Sequence, residues 1–332
     1  MRKRSIAKSF IKTGCSALLV ICLTACSGSG SKPVEAVKAT VAGIAGPTSI
    51  GMIQMIDGKM LNEGSYQTEY EIAQAPDMLV GKIINGEIQI AALPTNMAAV
   101  LFNKTGGKVQ FLAQNTLGVL YIVGPGSSGI GTLSDLNGKK IVMSGSGTLP
   151  EYVMNYVFSK SQQVVGIQLE FCPDHPAAAQ ILLAGDADAA VLPQPFVSLV
   201  LGKNSDMKIL IDITKEWEKV SSDSVLSMGC LVVNSEFADK NPDYIKEFLR
   251  LYEASVNFVN GNPAEAAAMV EKAGIIQNAA LVEQAIPYCN IVFAGAQEAK
   301  DKINGFLKIL YESDPATIGG ALPDDSFYYK EP

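Results

Sequence analysis

The chain has 332 residues, 48% of them hydrophobic, and a formal net charge of −7. That length suits one large or two medium domains, and the apolar share is enough for a sizeable core. An acidic chain without a basic run argues against nucleic acid as a partner.

The N-terminus is not part of the fold. Arg2, Lys3, Arg4, Lys8 and Lys12 make a basic leader, and an apolar run over 17–23 follows. The run then meets Leu23-Thr24-Ala25-Cys26. Basic leader, short apolar stretch and small residues at the cut predict a signal peptide over 1–25. The run is too short for a membrane span, which needs about 20 residues. Leu-x-Ala-Cys resembles the bacterial lipobox, whose Cys is diacylated and becomes the new N-terminus. Cys26 is therefore the expected lipidation site. Residues 26–37, with Ser27-Gly28-Ser29-Gly30-Ser31-Lys32-Pro33, read as a flexible tether. Loss of the leader's five basic residues takes the net charge from −7 to −12. Cys172, Cys230 and Cys289 then remain besides Cys26. Their odd number and apolar settings predict buried free thiols rather than a disulfide framework.

From residue 38, strand and helix patterns alternate. The first series predicts a strand over 39–45, a break at Gly46-Pro47-Thr48-Ser49, and one helix over 50–61. A strand over 68–72, a helix over 76–85, a strand over 88–93 and a helix over 96–103 come next, then strands over 111–114 and 119–123. The order starts again with a strand over 140–144, a break at Gly145-Ser146-Gly147-Thr148 and a helix over 150–159. A strand over 168–171, a helix over 176–184, a strand over 187–192, a helix over 196–201 and a strand over 207–211 follow. Laid 99 residues apart, with Gly46 on Gly145 and Leu93-Pro94 on Leu192-Pro193, the two series match element for element. Two copies of a long unit point to two α/β lobes of like, Rossmann-like topology rather than a solenoid. After a polar stretch beyond Trp217 come a strand over 229–233 and helices over 243–260, from 263, over 278–288 and over 296–313. This helical C-terminal part is expected to join lobe 1.

The motifs for chemistry are sparse. Gly124-Pro125-Gly126-Ser127-Ser128-Gly129 fits GxGxxG, but no long helix follows it, so a dinucleotide site fails. His175, the one histidine, reads as a solvated or capping residue at a helix start. No Gly-x-Ser-x-Gly accompanies it, so catalytic residues, cofactors and a metal are not expected. The sharper candidates are the strand-to-helix breaks. In α/β sheets ligands gather at the carboxyl ends of strands, where helix N-termini offer free N–H groups. That marks Gly46, Pro47, Thr48 and Ser49, and their counterparts Gly145, Ser146, Gly147 and Thr148, as ligand contacts. Thr95, Asn96 and Gln194 follow the third strand of each series, and the two Leu-Pro endings should set Thr95 and Gln194 face to face. Thr116 lies between two strands, and Trp217 is available to stack on an aromatic ligand.

Several motifs in this order resemble the substrate-binding proteins of ABC importers. The group looks like the sulfonate, nitrate and thiamine-pyrimidine-precursor binders. They are the lipobox with its tether, Asp135-Leu136-Asn137-Gly138-Lys139-Lys140-Ile141, Gly145-Ser146-Gly147-Thr148, Leu192-Pro193-Gln194-Pro195-Phe196, and Leu231-Val232-Val233-Asn234 ahead of Asn241-Pro242. The resemblance implies a type II periplasmic-binding-protein fold with a hinge and a central cleft. It places lobe 1 at 38–123 and 229–332, and lobe 2 at 124–228. The crossings would lie near 123–128 and 227–229. It implies a monomer held on the extracytoplasmic face of the cell membrane. There it would pass a small polar, anionic or aromatic molecule to a permease; a sensor on the same fold is the alternative. It also implies a carboxylate where this chain has Gln194.

Overall fold

The computed structural model describes residues 36–161 and 166–331. The expected signal peptide, Cys26 and all but the end of the expected tether lie outside the described residues. In chain order the first part holds β1 (Val37–Ile44), α1 (Pro47–Ile50), α2 (Ile53–Asp57), β2 (Tyr66–Ala73), α3 (Asp77–Ile84), β3 (Ile90–Leu93), α4 (Thr95–Thr105) and β4 (Val109–Leu117). The middle part holds β5 (Leu120–Pro125), β6 (Lys140–Ser144), α5 (Leu149–Lys160), β7 (Gln168–Cys172), α6 (His175–Ala184), β8 (Ala189–Pro193), α7 (Phe196–Lys203), β9 (Met207–Asp212) and α8 (Ile213–Val220). The last part holds β10 (Ser227–Asn234), α9 (Ser235–Lys240), α10 (Pro242–Gly261), α11 (Pro263–Lys272), α12 (Ala279–Ala285), β11 (Ile291–Gly295) and α13 (Ala296–Ser313).

Two mixed sheets result. The first has the order β11-β4-β10-β3-β1-β2 and the second β7-β6-β8-β5-β9. The repeat seen in the sequence is real at the level of topology. β2-β1-β3 and β7-β6-β8 are parallel triplets in the same order. In each sheet an antiparallel strand then separates the third parallel strand from the fourth. In the first sheet it is β10, between β3 and β4. In the second it is β5, between β8 and β9.

This pairing corrects the expected first crossing. Residues 120–125 pair with β8 and β9, so the chain leaves the first sheet at Gly118-Val119, several residues before 123–128. The glycine-rich stretch after β5 is a short 3-10 turn at the far end of the second sheet. Local pattern cannot reveal this, because β5 pairs with strands that begin well over 60 residues downstream, Ala189–Pro193 and Met207–Asp212. The expected helix over 50–61 is also two short helices, broken at Gly51 and ended at Gly58, with Lys59 and Leu61 at positive φ.

The sheets are stitched by alternation. In β6, Ile141 and Met143 join a large buried cluster that runs on through β1, β3, β10 and α10. Val142, between them, faces the other way into a smaller cluster with Leu182, Leu192 and Val200. That is the period of two of a strand buried on both faces. α10 opens with Pro at its first position, and Tyr244, Phe248, Tyr252, Val256 and Val259 form its buried stripe.

α8 was not expected from sequence. Only Ile213 and Trp217 of its residues are buried, and Asp212 caps it by accepting from the backbone N–H of Thr214 at 3.0 Å. Trp217 is 0% exposed and its Nε1 donates to Ser224 Oγ at 2.9 Å. Its ring lies 4.7 Å from Tyr156 of α5 and 5.6 Å from Phe306 of α13. It therefore packs a helix of the second sheet against one that covers the first. Trp217→Ala is expected to cost about 3–5 kcal/mol in urea unfolding; a loss below about 1 kcal/mol would contradict this packing role.

Candidate functional site

The carboxyl ends of the parallel strands in both sheets meet around one cavity of about 390 Å³. The β1–α1 turn supplies Ala45, Gly46, Pro47 and Thr48, and the end of β4 supplies Thr116. Across from them stand His175 at the start of α6 and Pro193, Gln194, Pro195 and Phe196 where β8 passes into α7. Val119 of the crossing, Met228 of β10 and the Ile275-Ile276 pair between α11 and α12 complete the wall. A larger depression, about 700 Å³, runs along β1 and the edge strand β2 past Lys38, Glu63, Tyr66 and Glu69. It draws on one sheet only and lies away from the strand ends where helix starts converge, so the cleft between the sheets is the candidate site.

Each contact has a local cause. Gly46 sits at φ 142° and ψ −172°, a conformation open to glycine alone, so the chain can turn sharply from β1 into α1 beside the cavity. Ser49 secures that turn by donating from Oγ to Ile44 O at 2.6 Å. Gln194 is 1% exposed; its Oε1 accepts from both the N–H (3.2 Å) and the Oγ (3.0 Å) of Ser198 in α7. That fixes the amide, with oxygen toward the helix. Its Nε2 is buried and has no hydrogen-bond partner among the described residues, and the same holds for Oγ1 of Thr116, itself 1% exposed. An unmet buried polar atom costs about 1–3 kcal/mol, and these two belong to residues on opposite sides of the one cavity.

His175 belongs to this wall, contrary to its reading as solvated. Its Nδ1 lies 2.5 Å from Ser144 Oγ at the end of β6, and its ring lies 5.4 Å from that of Phe196. Burial holds its pKa below the ordinary histidine value, partly offset by the neighbouring Asp174 carboxylate. Asp174 also caps α6 by accepting from the Ala177 N–H at 2.8 Å.

Of the sequence candidates, Gly46, Pro47, Thr48, Thr116 and Gln194 come together here. The others do not line the cavity. Ser49 is consumed by the turn. Thr95 is 0% exposed and shares a hydrogen bond with Ser227 Oγ at 2.7 Å, so it does not face Gln194 across the cleft. Asn96 donates to Thr317 O at 3.2 Å. Gly145, Ser146, Gly147 and Thr148 form a turn outside the wall; Gly145 is at φ 88° and Thr148 Oγ1 donates to Gly145 O at 2.6 Å. Trp217 is spent in the core. Sequence reasoning missed Phe196, Met228, Ile275 and Ile276. Phe196 follows directly from Gln194-Pro195, whereas the two isoleucines reach the cleft from a loop about 80 residues later with no local sign of it.

Residues 58–285 match the model of a family described as the phosphonate periplasmic substrate-binding protein of ABC transporters. The chain belongs to that family. It is the extracytoplasmic substrate-binding component of an ABC import system, and this is a family of binding proteins, not of enzymes. An ABC transporter structure from Parabacteroides distasonis superposes with a TM-score of 0.77 at 26% identity, covering 89% of this chain and 99% of that one. The periplasmic aliphatic sulphonate binding protein SsuA of Escherichia coli gives 0.70 at 14% identity, over 87% and 95%. The alkanesulfonate-binding protein SsuA of Xanthomonas axonopodis pv. citri, bound to MOPS, gives 0.59 at 14%, over 87% and 96%. The latter two share the fold. No curated protein matches in sequence. No described helix is long and apolar enough to cross a membrane.

Because the chain has one histidine, the His175 titration can be followed by NMR without ambiguity in an untagged protein. Its pKa is expected below about 6.5. The sign follows: the unfolded state binds the proton more readily, so stability contributed by neutral His175 is present above about pH 6.5 and is lost as pH falls through the depressed folded value. A pKa at or above 6.5 would contradict a buried, neutral ring.

Proposed function

We propose that this chain is a lipid-anchored solute-binding protein that collects a small molecule in the cleft between its two sheets and hands it to an ABC permease. The observation that carries the reading is the pair of unmet polar atoms, Gln194 Nε2 and Thr116 Oγ1, on a cavity walled from both sheets. Gln194 belongs to the second sheet's half and Thr116 to the first, so a solute bound to both is held by both halves. Gly46, Pro47 and Thr48 shape the floor on one side, and His175 and Phe196 the opposite side. A cavity near 400 Å³ falls in the range of ligand pockets, about 300–1,000 Å³. Cys26 carries the anchor that holds the folded part at the membrane, where the permease lies.

Two experiments test this. The small-molecule fraction of a cell extract should raise the unfolding temperature, since ligand at a hundredfold excess over Kd adds about 2.7 kcal/mol. Met228→Trp, which fills the cleft, should abolish the shift; an equal shift in wild type and variant would remove the cleft from the reading. For the anchor, Cys26→Ala should move the chain from the membrane fraction to the soluble fraction, and unchanged membrane association would contradict lipidation at Cys26.

A further inference from the structure

One side of the cleft is shaped by an irregularity in the pairing of β4 with β10, and its role in binding rests on the function proposed above. In an antiparallel ladder each step along one strand is matched by one step back along the other. From the pair Cys230–Gln114 to the pair Gly229–Thr116, the ladder moves one residue along β10 and two along β4. Asn115 is therefore an extra residue, with none opposite it on β10. From Gly229–Thr116 to Ser227–Leu117 the imbalance reverses, and Met228 is the extra residue. Two bulges of opposite sense thus flank the single pair Thr116–Gly229. Bulges re-aim side chains and are over-represented beside functional sites. Here both Thr116 and Met228 stand on the cavity wall.

Asn115 itself is 0% exposed and does not line the cavity. Its Nδ2 donates to Thr48 O at 3.1 Å. Thr48 belongs to the turn from β1 into α1, a helix with no side-chain cap. The amide therefore ties that turn to β4 from behind the wall. Tyr252 of α10 stands behind Asn115 in turn: burial raises the pKa of its hydroxyl, and the Asn115 side chain acts the other way. Gly229 makes the arrangement possible. A Cβ there would lie 2.5 Å from Thr48 Cγ2, 2.6 Å from Asn115 Oδ1 and 3.2 Å from Thr116 Cβ. A residue without a side chain lets the turn, the amide and the strand close on one another.

We propose that Asn115 and Gly229 are positioning residues for solute binding: the paired bulges turn Thr116 and Met228 onto the cleft, and the Asn115 amide, packed against Gly229, holds Thr48 beside them. Neither residue touches the solute. Thr48, Thr116 and Met228 come from three separate segments, yet they act as one preorganised face. Loosening that face costs affinity as well as stability, because the solute must then order it on binding.

The test uses the small-molecule fraction of a cell extract as the probe, applied as a dilution series while the unfolding temperature is read. Asn115→Ala removes the tie to Thr48. Asn115→Ser, the milder change, keeps a polar group too short to reach it, and decides the matter if Asn115→Ala does not fold. Gly229→Ala pushes Thr48 and Asn115 away from β10. The comparison is Thr68→Val, which removes a buried hydrogen bond of the first sheet away from the cleft, the one that Thr68 Oγ1 shares with the Tyr244 hydroxyl at 2.8 Å. Without extract, every variant should unfold at a lower temperature than wild type. The Asn115 and Gly229 variants should need extract about tenfold more concentrated for half of the maximal rise, which is what the loss of one hydrogen bond's worth of binding amounts to. Thr68→Val should reach half of its rise at the wild-type dilution. Half-saturation at the wild-type dilution in the Asn115 and Gly229 variants would overturn the inference and leave the binding role standing. A similar loss in Thr68→Val would also overturn it, since binding would then merely follow stability. If the extract leaves wild type unchanged, the binding role itself fails and the inference with it.

Discussion

The structure depends on an exchange of strands. Each sheet receives its one internal antiparallel strand from a segment that has just crossed over from the other: β5 enters between β8 and β9, and β10 between β3 and β4. Because each exchanged strand is central, neither sheet can be completed without the crossing. The first crossing is held tightly. Gly118 has no room for a side chain against Thr214 and Leu226, its carbonyl accepts from Asn290 Nδ2, and the Leu117 N–H donates to Asn290 O at 3.0 Å. Tyr121, just beyond, donates from its hydroxyl to Tyr288 O at 2.9 Å.

The position of the cleft follows from that exchange. With the crossings fixed, the carboxyl ends of β1 and β4 face those of β7 and β8, and the turns that leave them form the wall. Each turn was built with residues that settle their own backbone. Gly46 takes a conformation only glycine tolerates, Ser49 ties the turn down, Asp174 caps α6, and Ser198 clasps Gln194. The polar side chains on that wall are Thr48, Thr116, His175 and Gln194. Phe196, Met228 and the two isoleucines make much of the cleft's apolar wall, and Gln194 and Thr116 stand among its polar residues.

Much of this was legible in the sequence. The strand at Lys140–Ser144 and the helix at Ala296–Ser313 stand where alternation and periodicity put them, and the 99-residue repeat survives as matching sheet order. Gly46, Pro47, Thr48, Thr116 and Gln194 reach the cavity wall because they stand where strands of the two sheets end. What failed did so for identifiable reasons. The α8 stretch Thr214-Lys215-Glu216-Trp217 looks like a polar loop, since only two positions of that helix are buried. Thr95 looks equivalent to Gln194, yet Ser227 on the exchanged strand β10 claims its hydroxyl. Strand exchange also moved 120–125 into the second sheet, and Ile275-Ile276 reached the cleft by tertiary packing alone. Each miss concerns contacts between segments far apart in the chain, which local pattern does not record.

The most direct measurement is a crystal structure of the protein purified with its natural solute and never denatured. The expected result is density for a small molecule between the sheets, in contact with Gln194 and Thr116 and packed on Phe196 and Met228. Solute seated in the β1–β2 depression with the cleft left empty would contradict it.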